Sequence, residues 1–461
     1  MGRAPRSSLF SKLRDAAAAA LLLGLAGCAG IGFGGEEAPP RPTVQAPPVV
    51  TPPKAATTAP ANPITHDSAN FFTPRQMEAR RDGLIRVALL LPFNSQSAGV
   101  RSISTSLYNA AQLALFEFDN QNILLMPRAT GGSAAGAQAA AEKAVHDGAN
   151  LIIGPLFAEE VSAVTPVAQA AGVPVVAFST DERVAANGVY LLSFPPDEDV
   201  KRIVDYAVTH GLTNYAALFP QNDYGDRVRG VFEQTIAEHG SRIAAEASYP
   251  TSGSNMNDAV ERIANYGARH GALLAKRADL KKLGDAQGLK ALEKRDTIGD
   301  VSYQAVFLPE GGARLKALAP LLPYYDVDPR KVKFLGTGLW DDGSLAREPS
   351  LEGAWFPAPP PEAHAQFVTR YARIYGDTPP RIASLAYDAV SLAVALSARL
   401  EGQRFTTAAL TAPDGFAGVD GIFRFMPDGR TERGLAVMEM HSTGPIVIDP
   451  APASFVVPPS L

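Results

Sequence analysis

Short apolar runs alternate with stretches of helical periodicity from Ile85 to Phe178, and this alternation restricts the fold more than any other feature of the chain. The run Ile85 to Phe93 (IRVALLLPF) is continuously apolar, as a parallel strand buried on both faces must be. A helix is predicted over Ser106–Asn120, with Leu107, Ala110, Ala111, Leu113, Ala114 and Phe118 on one side. Strand Ile123–Pro127, helix Ala134–Asp147, strand Leu151–Gly154, helix Glu159–Ala171 and strand Val175–Phe178 follow. Gly148 and Gly172 stand just past helix ends, where a left-handed residue is common. Strands separated by helices pair in parallel, so the pattern predicts a doubly wound sheet.

After Ser193-Phe194-Pro195-Pro196 the pattern restarts with helix Asp197–His210, strand Tyr215–Phe219, helix Gly225–His239, strand Ile243–Tyr249 and helix Met256–Tyr266. Two α/β units are therefore expected in succession. Residues 269–300 carry eight Lys or Arg and five acidic residues with little apolar periodicity, and read as an exposed helical insertion. Strands Ala305–Leu308 and Lys333–Leu335, the apolar piece Gly353–Phe356, and helices Glu362–Tyr375 and Arg381–Leu400 come next. Gly421–Phe425 reads as a hairpin strand that turns at Pro427-Asp428-Gly429 and pairs with Leu435–Met440.

The chain's single cysteine cannot form an intramolecular disulfide or a thiolate metal site, and its context supplies another use. Arg3, Arg6, Lys12 and Arg14 precede an apolar run, Ala16–Gly27, that is too short to span a bilayer permanently. Residues 1–27 are predicted to be a signal peptide. Its end, Leu25-Ala26-Gly27-Cys28, resembles the lipobox of bacterial lipoproteins, which implies cleavage before Cys28, acylation of its thiol and a membrane anchor. A buried cysteine behind an ordinary signal peptide is the alternative. Ala29 follows where an Asp would favour the inner membrane, so the outer membrane is expected.

From Glu36 to Pro74 ten prolines exclude regular structure, and residues 28–83 read as a linker. Extended at roughly 3.1 Å per residue, such a segment reaches on the order of 100 Å or more. Gly30-Ile31-Gly32-Phe33-Gly34-Gly35 matches a dinucleotide-binding string, but no strand precedes it and no helix follows, so it reads as spacer.

A net charge of -5 argues against a broad phosphate-binding surface, and no nucleic-acid partner is expected. No Gly-x-Ser-x-Gly, Ser-x-x-Lys, His-Glu-x-x-His or phosphate-binding loop occurs, and the seven histidines lack metal-ligand spacing. The expectation is a non-enzyme without cofactor or metal.

The opening strand, the Ile152-Ile153-Gly154-Pro155 turn, Gly172-Val173-Pro174-Val175, Asn222-Asp223-Tyr224-Gly225, Ala386-Tyr387-Asp388-Ala389 and the Gly-x-Phe-x-Phe-x-x-x-Gly of 421–429 stand in a telling order. In that order they resemble the leucine/isoleucine/valine-binding proteins. The resemblance implies a type 1 periplasmic-binding fold, with two doubly wound parallel-sheet lobes joined by three crossovers. The crossings would fall near Phe194–Pro196, Ala354–Pro357 and Pro413–Gly418. Lobe one would be 84–195 plus 357–412, and lobe two 196–356 plus 413–450.

The lipobox, the proline-rich linker and a charged insertion ending Leu292-Glu293-Lys294-Arg295-Asp296 most resemble the penicillin-binding protein activators. This implies an outer-membrane lipoprotein that reaches through the cell wall and stimulates a bifunctional peptidoglycan synthase by contact, with Lys290, Lys294 and Arg295 as the partner surface. The best-known members add an N-terminal helical-repeat domain, and nothing between Cys28 and Ile85 fits one. The other function considered is a solute receptor serving an importer or a sensor.

Open α/β sheets bind ligands beyond the carboxyl ends of their strands. The candidates are Asn94 and Ser95, then Leu156, Phe157 and Ala158, then Ser179, Thr180 and Asp181, with Asn222, Asp223 and Tyr224 facing them from lobe two. Ser179–Asp181 and Asn222–Gly225 suit helix caps or turns equally well. Amino-acid receptors of this fold hold the ligand carboxylate with hydroxyls after the third strand. The stretch Leu156–Glu160 has no hydroxyl and two carboxylates, which disfavours that ligand. Trp340 and Trp355 suit core or cleft wall.

Overall fold

The computed structural model describes residues 83–118 and 122–456. The predicted signal peptide, the acylation site Cys28 and the proline-rich linker lie outside the described residues.

The first α/β unit runs β1 (Ile85–Leu91), α1 (Ala98–Glu117), β2 (Ile123–Ala129), α2 (Ala134–His146), β3 (Leu151–Ile153), α3 (Ala158–Ala171), β4 (Val175–Ala177) and β5 (Val189–Leu191). These strands form a five-stranded sheet in the order β2-β1-β3-β4-β5, parallel throughout. The unbroken apolar run of β1 has a simple cause. Val87, Leu89 and Leu91 enter the core on one face of the sheet, and Ala88 and Leu90 enter the core on the other. Helix α1 begins eight residues before the predicted Ser106. Its first turns are polar and lack an apolar stripe, but Ser97 caps them by accepting from the Val100 amide at 3.4 Å.

The second unit runs α4 (Pro196–Thr209), β6 (Asn214–Gln221), α5 (Asp223–Glu238), β7 (Arg242–Pro250), α6 (Met256–Ile263), α7 (Tyr266–Lys282), α8 (Ala286–Leu292), β8 (Ala305–Phe307), α9 (Gly312–Leu318), α10 (Leu321–Tyr324), β9 (Lys333–Leu335) and β10 (Trp355–Ala358). Strand β6 repeats the logic of β1: Tyr215, Ala217 and Phe219 face one core, and Ala216 and Leu218 the other. The predicted helix Met256–Tyr266 stops at Ile263, because Asn265 adopts a left-handed conformation (φ 48°) that starts α7 in a new direction. The charged insertion is helical, as α7 and α8. It is moored by Arg269, which is buried and donates to the carbonyls of Gly299, Ala264 and Asp326.

The chain then crosses back through α11 (Pro361–Tyr375), α12 (Ala383–Ser397) and α13 (Thr407–Leu410). Small residues let α12 lie flat on the first sheet, and Ala386, Ala389 and Ala393 share a core with Leu107, Ala110 and Ala114 of α1. A three-stranded sheet follows: β11 (Phe416–Gly418), β12 (Gly421–Phe425) and β13 (Thr431–Arg433). The chain ends with β14 (Ala436–Glu439) and β15 (Ile446–Asp449), which complete a seven-stranded sheet in the order β15-β14-β10-β9-β8-β6-β7.

The observed hairpin partner differs from the predicted one. Strand β12 turns at 427–429 as expected, but it pairs with β13, in the register Phe423↔Arg433, and not with Leu435–Met440. The latter segment is apolar because β14 lies inside the large sheet, antiparallel to β10. Thr431 and Arg433 look like surface residues in sequence, yet both are buried: Thr431 donates to the Leu191 carbonyl and Arg433 to that of Ser193 at 2.6 Å. Phe423 and Phe425 share the core of the first sheet, so the chain leaves that sheet's core after Gly434 rather than near 413–418. The middle crossing likewise follows Ala358, since all of β10 belongs to the seven-stranded sheet.

Candidate functional site

Two βα junctions of the same design, one in each lobe, shape the carboxyl edges of the sheets. After β2, Ser133 caps α2 by accepting from the Gly136 amide at 3.2 Å, and a Cβ at Gly136 would stand 2.0 Å from the Thr130 carbonyl oxygen. After β6, Asn222 caps α5 by accepting from the Gly225 amide at 2.7 Å, and a Cβ at Gly225 would stand 1.8 Å from the Pro220 oxygen. Each helix can press its first turn onto the strand end only because it has glycine there. This sets the helix amino terminus at the carboxyl edge of its own sheet.

On lobe one, Asn94, Ser95 and Phe157 gather around Gly131 and Gly132, both left-handed (φ 73° and 77°). The Ser95 hydroxyl accepts from the Ser97 amide at 3.3 Å, while Arg101 donates to the Ser95 carbonyl at 2.7 Å. Leu156, Phe157 and Ala158 supply apolar surface only. Phe157 occupies the cap position of α3, and the helix start is closed by Glu160, whose carboxylate accepts from the Phe157 amide at 3.3 Å. Glu160 is fully buried, and that burial pushes its carboxyl above the usual range.

The other candidates are mostly engaged within the protein. The Ser179 hydroxyl accepts from the Asp181 amide at 3.1 Å. Asp181 caps the short turn 182–184 and pairs with Arg183 at 2.7 Å, a hydrogen bond that holds its carboxyl below the usual value. Asn222 is committed to its cap. The Tyr224 hydroxyl meets the Thr337 hydroxyl at 3.1 Å, and burial pushes it well above its ordinary value. Asn94, Thr180 and Asp223 are exposed, and their side chains make no hydrogen bond or ion pair among the described residues. Trp340 is wholly buried with its indole donating to the Glu310 carbonyl, and Trp355 sits against Lys333 and Glu439.

Sequence reasoning missed the residue that ties the two edges together. Arg227, on the second turn of α5, donates to the Thr180 carbonyl at 2.5 Å, pairs with Glu182 at 3.1 Å, and also holds Asp197 at 2.6 Å. A second bridge runs from Arg381, ahead of α12, to Asp341 of lobe two, while its other terminal nitrogen holds Asp420 at 2.9 Å. Asp420 is fully buried. Burial alone would raise its carboxyl, but His364, Arg381 and Arg433 outweigh it and hold it at about 2. Beside it, burial and then the Asp420 charge push Asp388 up to about 7. The strand ends had marked the lobe-one edge in the sequence, and the doubled glycine at 131–132, left-handed at both positions, is a further local signal there. Nothing local marked Arg227, because its partners are distant in sequence.

Lys290, Lys294 and Arg295 lie far from this edge, exposed on α8 and on the segment that follows it. Among the described residues no group of His, Cys, Asp or Glu could hold a metal ion, and no helix is long and apolar enough to cross a membrane.

The sequence profile of the periplasmic binding proteins matches residues 84–445. A putative branched-chain amino acid ABC transporter protein from Rhodospirillum rubrum is similar in structure at 17% identity, covering 79% of this chain and 100% of that one with a TM-score of 0.64. An ABC transporter substrate-binding protein from Sphaerobacter thermophilus is similar at 17% identity, 80% and 98% coverage and a TM-score of 0.57. At such identities the likeness is one of fold. Among curated proteins, an uncharacterized protein of Rickettsia prowazekii (strain Madrid E) is 24% identical over 127 residues, 28% of this chain and 34% of that one. The chain thus matches about a third of that relative's length.

Proposed function

This chain belongs to the periplasmic binding protein family, and we propose that it works as a receptor whose lobes close on a small solute. The observation that carries the reading is the Arg227 bridge, which draws the carboxyl edge of one sheet toward that of the other. A solute held between the lobes favours the closed state by its differential affinity for it. On this reading the Arg227 contacts between the two edges favour the closed state.

The free side chains define the class of solute. Asp223 contributes a carboxylate that forms no hydrogen bond or ion pair among the described residues, while Asn94 and Thr180 add neutral hydrogen-bonding groups. Leu156, Phe157 and Ala158 offer no hydroxyl to an α-carboxylate. The arrangement suits a small solute with an amino group, and putrescine is a fitting probe, with leucine as the carboxylate-bearing reference. Ligand at a hundredfold excess over Kd stabilises a folded protein by about 2.7 kcal/mol. Putrescine is expected to raise the melting temperature saturably and leucine is not. A flat response to both sinks the receptor reading.

A second reading keeps its own observation. Lys290, Lys294 and Arg295 are exposed on a protruding helical insertion and form no ion pair among the described residues, which suits contact with an acidic partner surface. On this reading the protein is a lipid-anchored regulator that stimulates a peptidoglycan synthase of the penicillin-binding class. Pull-down of periplasmic synthase domains followed by a glycan-polymerisation assay tests it. Stimulation that is lost in Lys294→Glu/Arg295→Glu supports this reading, and failure of any synthase to bind removes it.

A further inference from the structure

Away from the cleft, a cavity of about 660 Å³ opens at the amino ends of β8 and β9, between the segment that follows α8 and the loop that precedes β9. Most of the charges in its wall are matched. Lys331 pairs with Asp300 at 2.7 Å, Arg330 with Asp328 at 2.8 Å, and Arg269 reaches Asp326 at 3.5 Å. The three carbonyls that hold Arg269 further fix its guanidinium.

Three donors in this lining have no such match. Lys294 and Arg295 stand exposed at the rim, without an ion pair among the described residues, opposed by one unpaired carboxylate, Asp296. Tyr303 is only 4% exposed, and its hydroxyl is buried with no hydrogen-bond partner among the described residues. Burial pushes that hydroxyl well above its ordinary value, so it remains a neutral donor. A buried hydroxyl without a partner is costly, and in folded proteins such groups are nearly always satisfied by protein, water or ligand. The unmatched groups are thus two cations, one carboxylate and a neutral donor, a set with one positive charge in excess that is complementary to anionic oxygen.

We propose that this cavity binds a small molecule bearing an oxyanion, with Tyr303 donating from the floor while Lys294 and Arg295 close on the ligand from the rim. The site is independent of the cleft and of the receptor reading. A carboxylate and a phosphate present the same chemistry to it, so citrate and inorganic phosphate are the two probes.

The test is calorimetric titration of the full chain with each probe, beside Tyr303→Phe and Arg295→Glu. Saturable binding of at least one probe is expected, and the probe that binds identifies the source of the oxyanion. Each substitution should weaken that binding about tenfold, the effect of losing one hydrogen bond to a charged group. Tyr303→Phe removes only an unpartnered oxygen, so its melting temperature without probe should equal or exceed the parent's. Failure of both probes to bind overturns the proposal. So does binding that Arg295→Glu weakens but Tyr303→Phe leaves unchanged, because that marks general attraction to a basic surface.

Discussion

The cleft edge and the back of lobe two are both rich in polar side chains, but they use them differently. At the cleft, Ser179, Asp181, Asn222 and Tyr224 are taken up by caps and by hydrogen bonds within the protein, and Arg227 links the lobes. At the back of lobe two, the Tyr303 hydroxyl has no hydrogen-bond partner and Lys294 and Arg295 form no ion pair among the described residues. A polar residue at the expected place is therefore a weak sign of a site. An unmatched one is a stronger sign, because burial without a partner has to be offset elsewhere.

The sharpest way to break the comparison is at the cap glycine. Gly225→Ala drives a Cβ against the Pro220 carbonyl and is expected to destabilise by about 1–3 kcal/mol or more, measured by denaturant unfolding. Gly230→Ala in the same helix meets open space and should be neutral or stabilising by about 0.5–1 kcal/mol. Equal effects at the two positions would remove the argument for the pressed βα junction.

Arg227→Ala comes next. It deprives Glu182, Asp197 and the Thr180 carbonyl of one shared donor, and an expected loss of about 1–3 kcal/mol follows from leaving partly buried groups unpaired. Asn222→Ala tests the cap directly. A loss of about 1 kcal/mol in stability, with unchanged response to putrescine, shows that this residue is structural.

A smaller effect is a dependence on pH. Asp199, at the start of α4, accepts from the Gly338 amide at 2.9 Å, and burial pushes its carboxyl up to about 7. Its folded value thus lies above the unfolded one of roughly 4, so the folded chain binds the proton more tightly. Stability is expected to fall from about pH 4 to pH 7, by up to about 1.4 kcal/mol per unit for one proton, and then to level off. Asp388 acts in the same direction and Asp420 in the opposite one, its contribution being lost as pH falls below about 4. Asp199→Asn should lower the slope between pH 5 and 7 as followed by thermal melts, leaving the share that Asp388 contributes. An unchanged slope places the proton elsewhere.

How much of this was legible in the sequence depended on whether the signal was local. Buried strands such as β1 and β6 declare themselves because both faces must be apolar, and helix ends at Gly148 and Gly172 because only glycine tolerates the required backbone cheaply. The apolar Leu435–Met440 was equally visible, but the sheet it would join was not: hairpin and sheet interior demand the same composition. Thr431 and Arg433 hid for the opposite reason, since their polar side chains are buried where they donate to the Leu191 and Ser193 carbonyls, which are distant in sequence. At the cleft, the strand ends and caps were readable from spacing. Arg227 was not, because a cation on a helix face becomes a bridge only when two lobes meet at a particular angle.

The account rests on lobes that close on a solute and are held by Arg227. Pulsed dipolar spectroscopy reads this directly, with spin labels at Glu142→Cys on α2 and Glu233→Cys on α5, both exposed, in a chain carrying Cys28→Ser. With putrescine present the account predicts one short, narrow distance population, which broadens toward longer distances when Arg227 is replaced by Ala. A distribution that neither putrescine nor Arg227→Ala alters would contradict it.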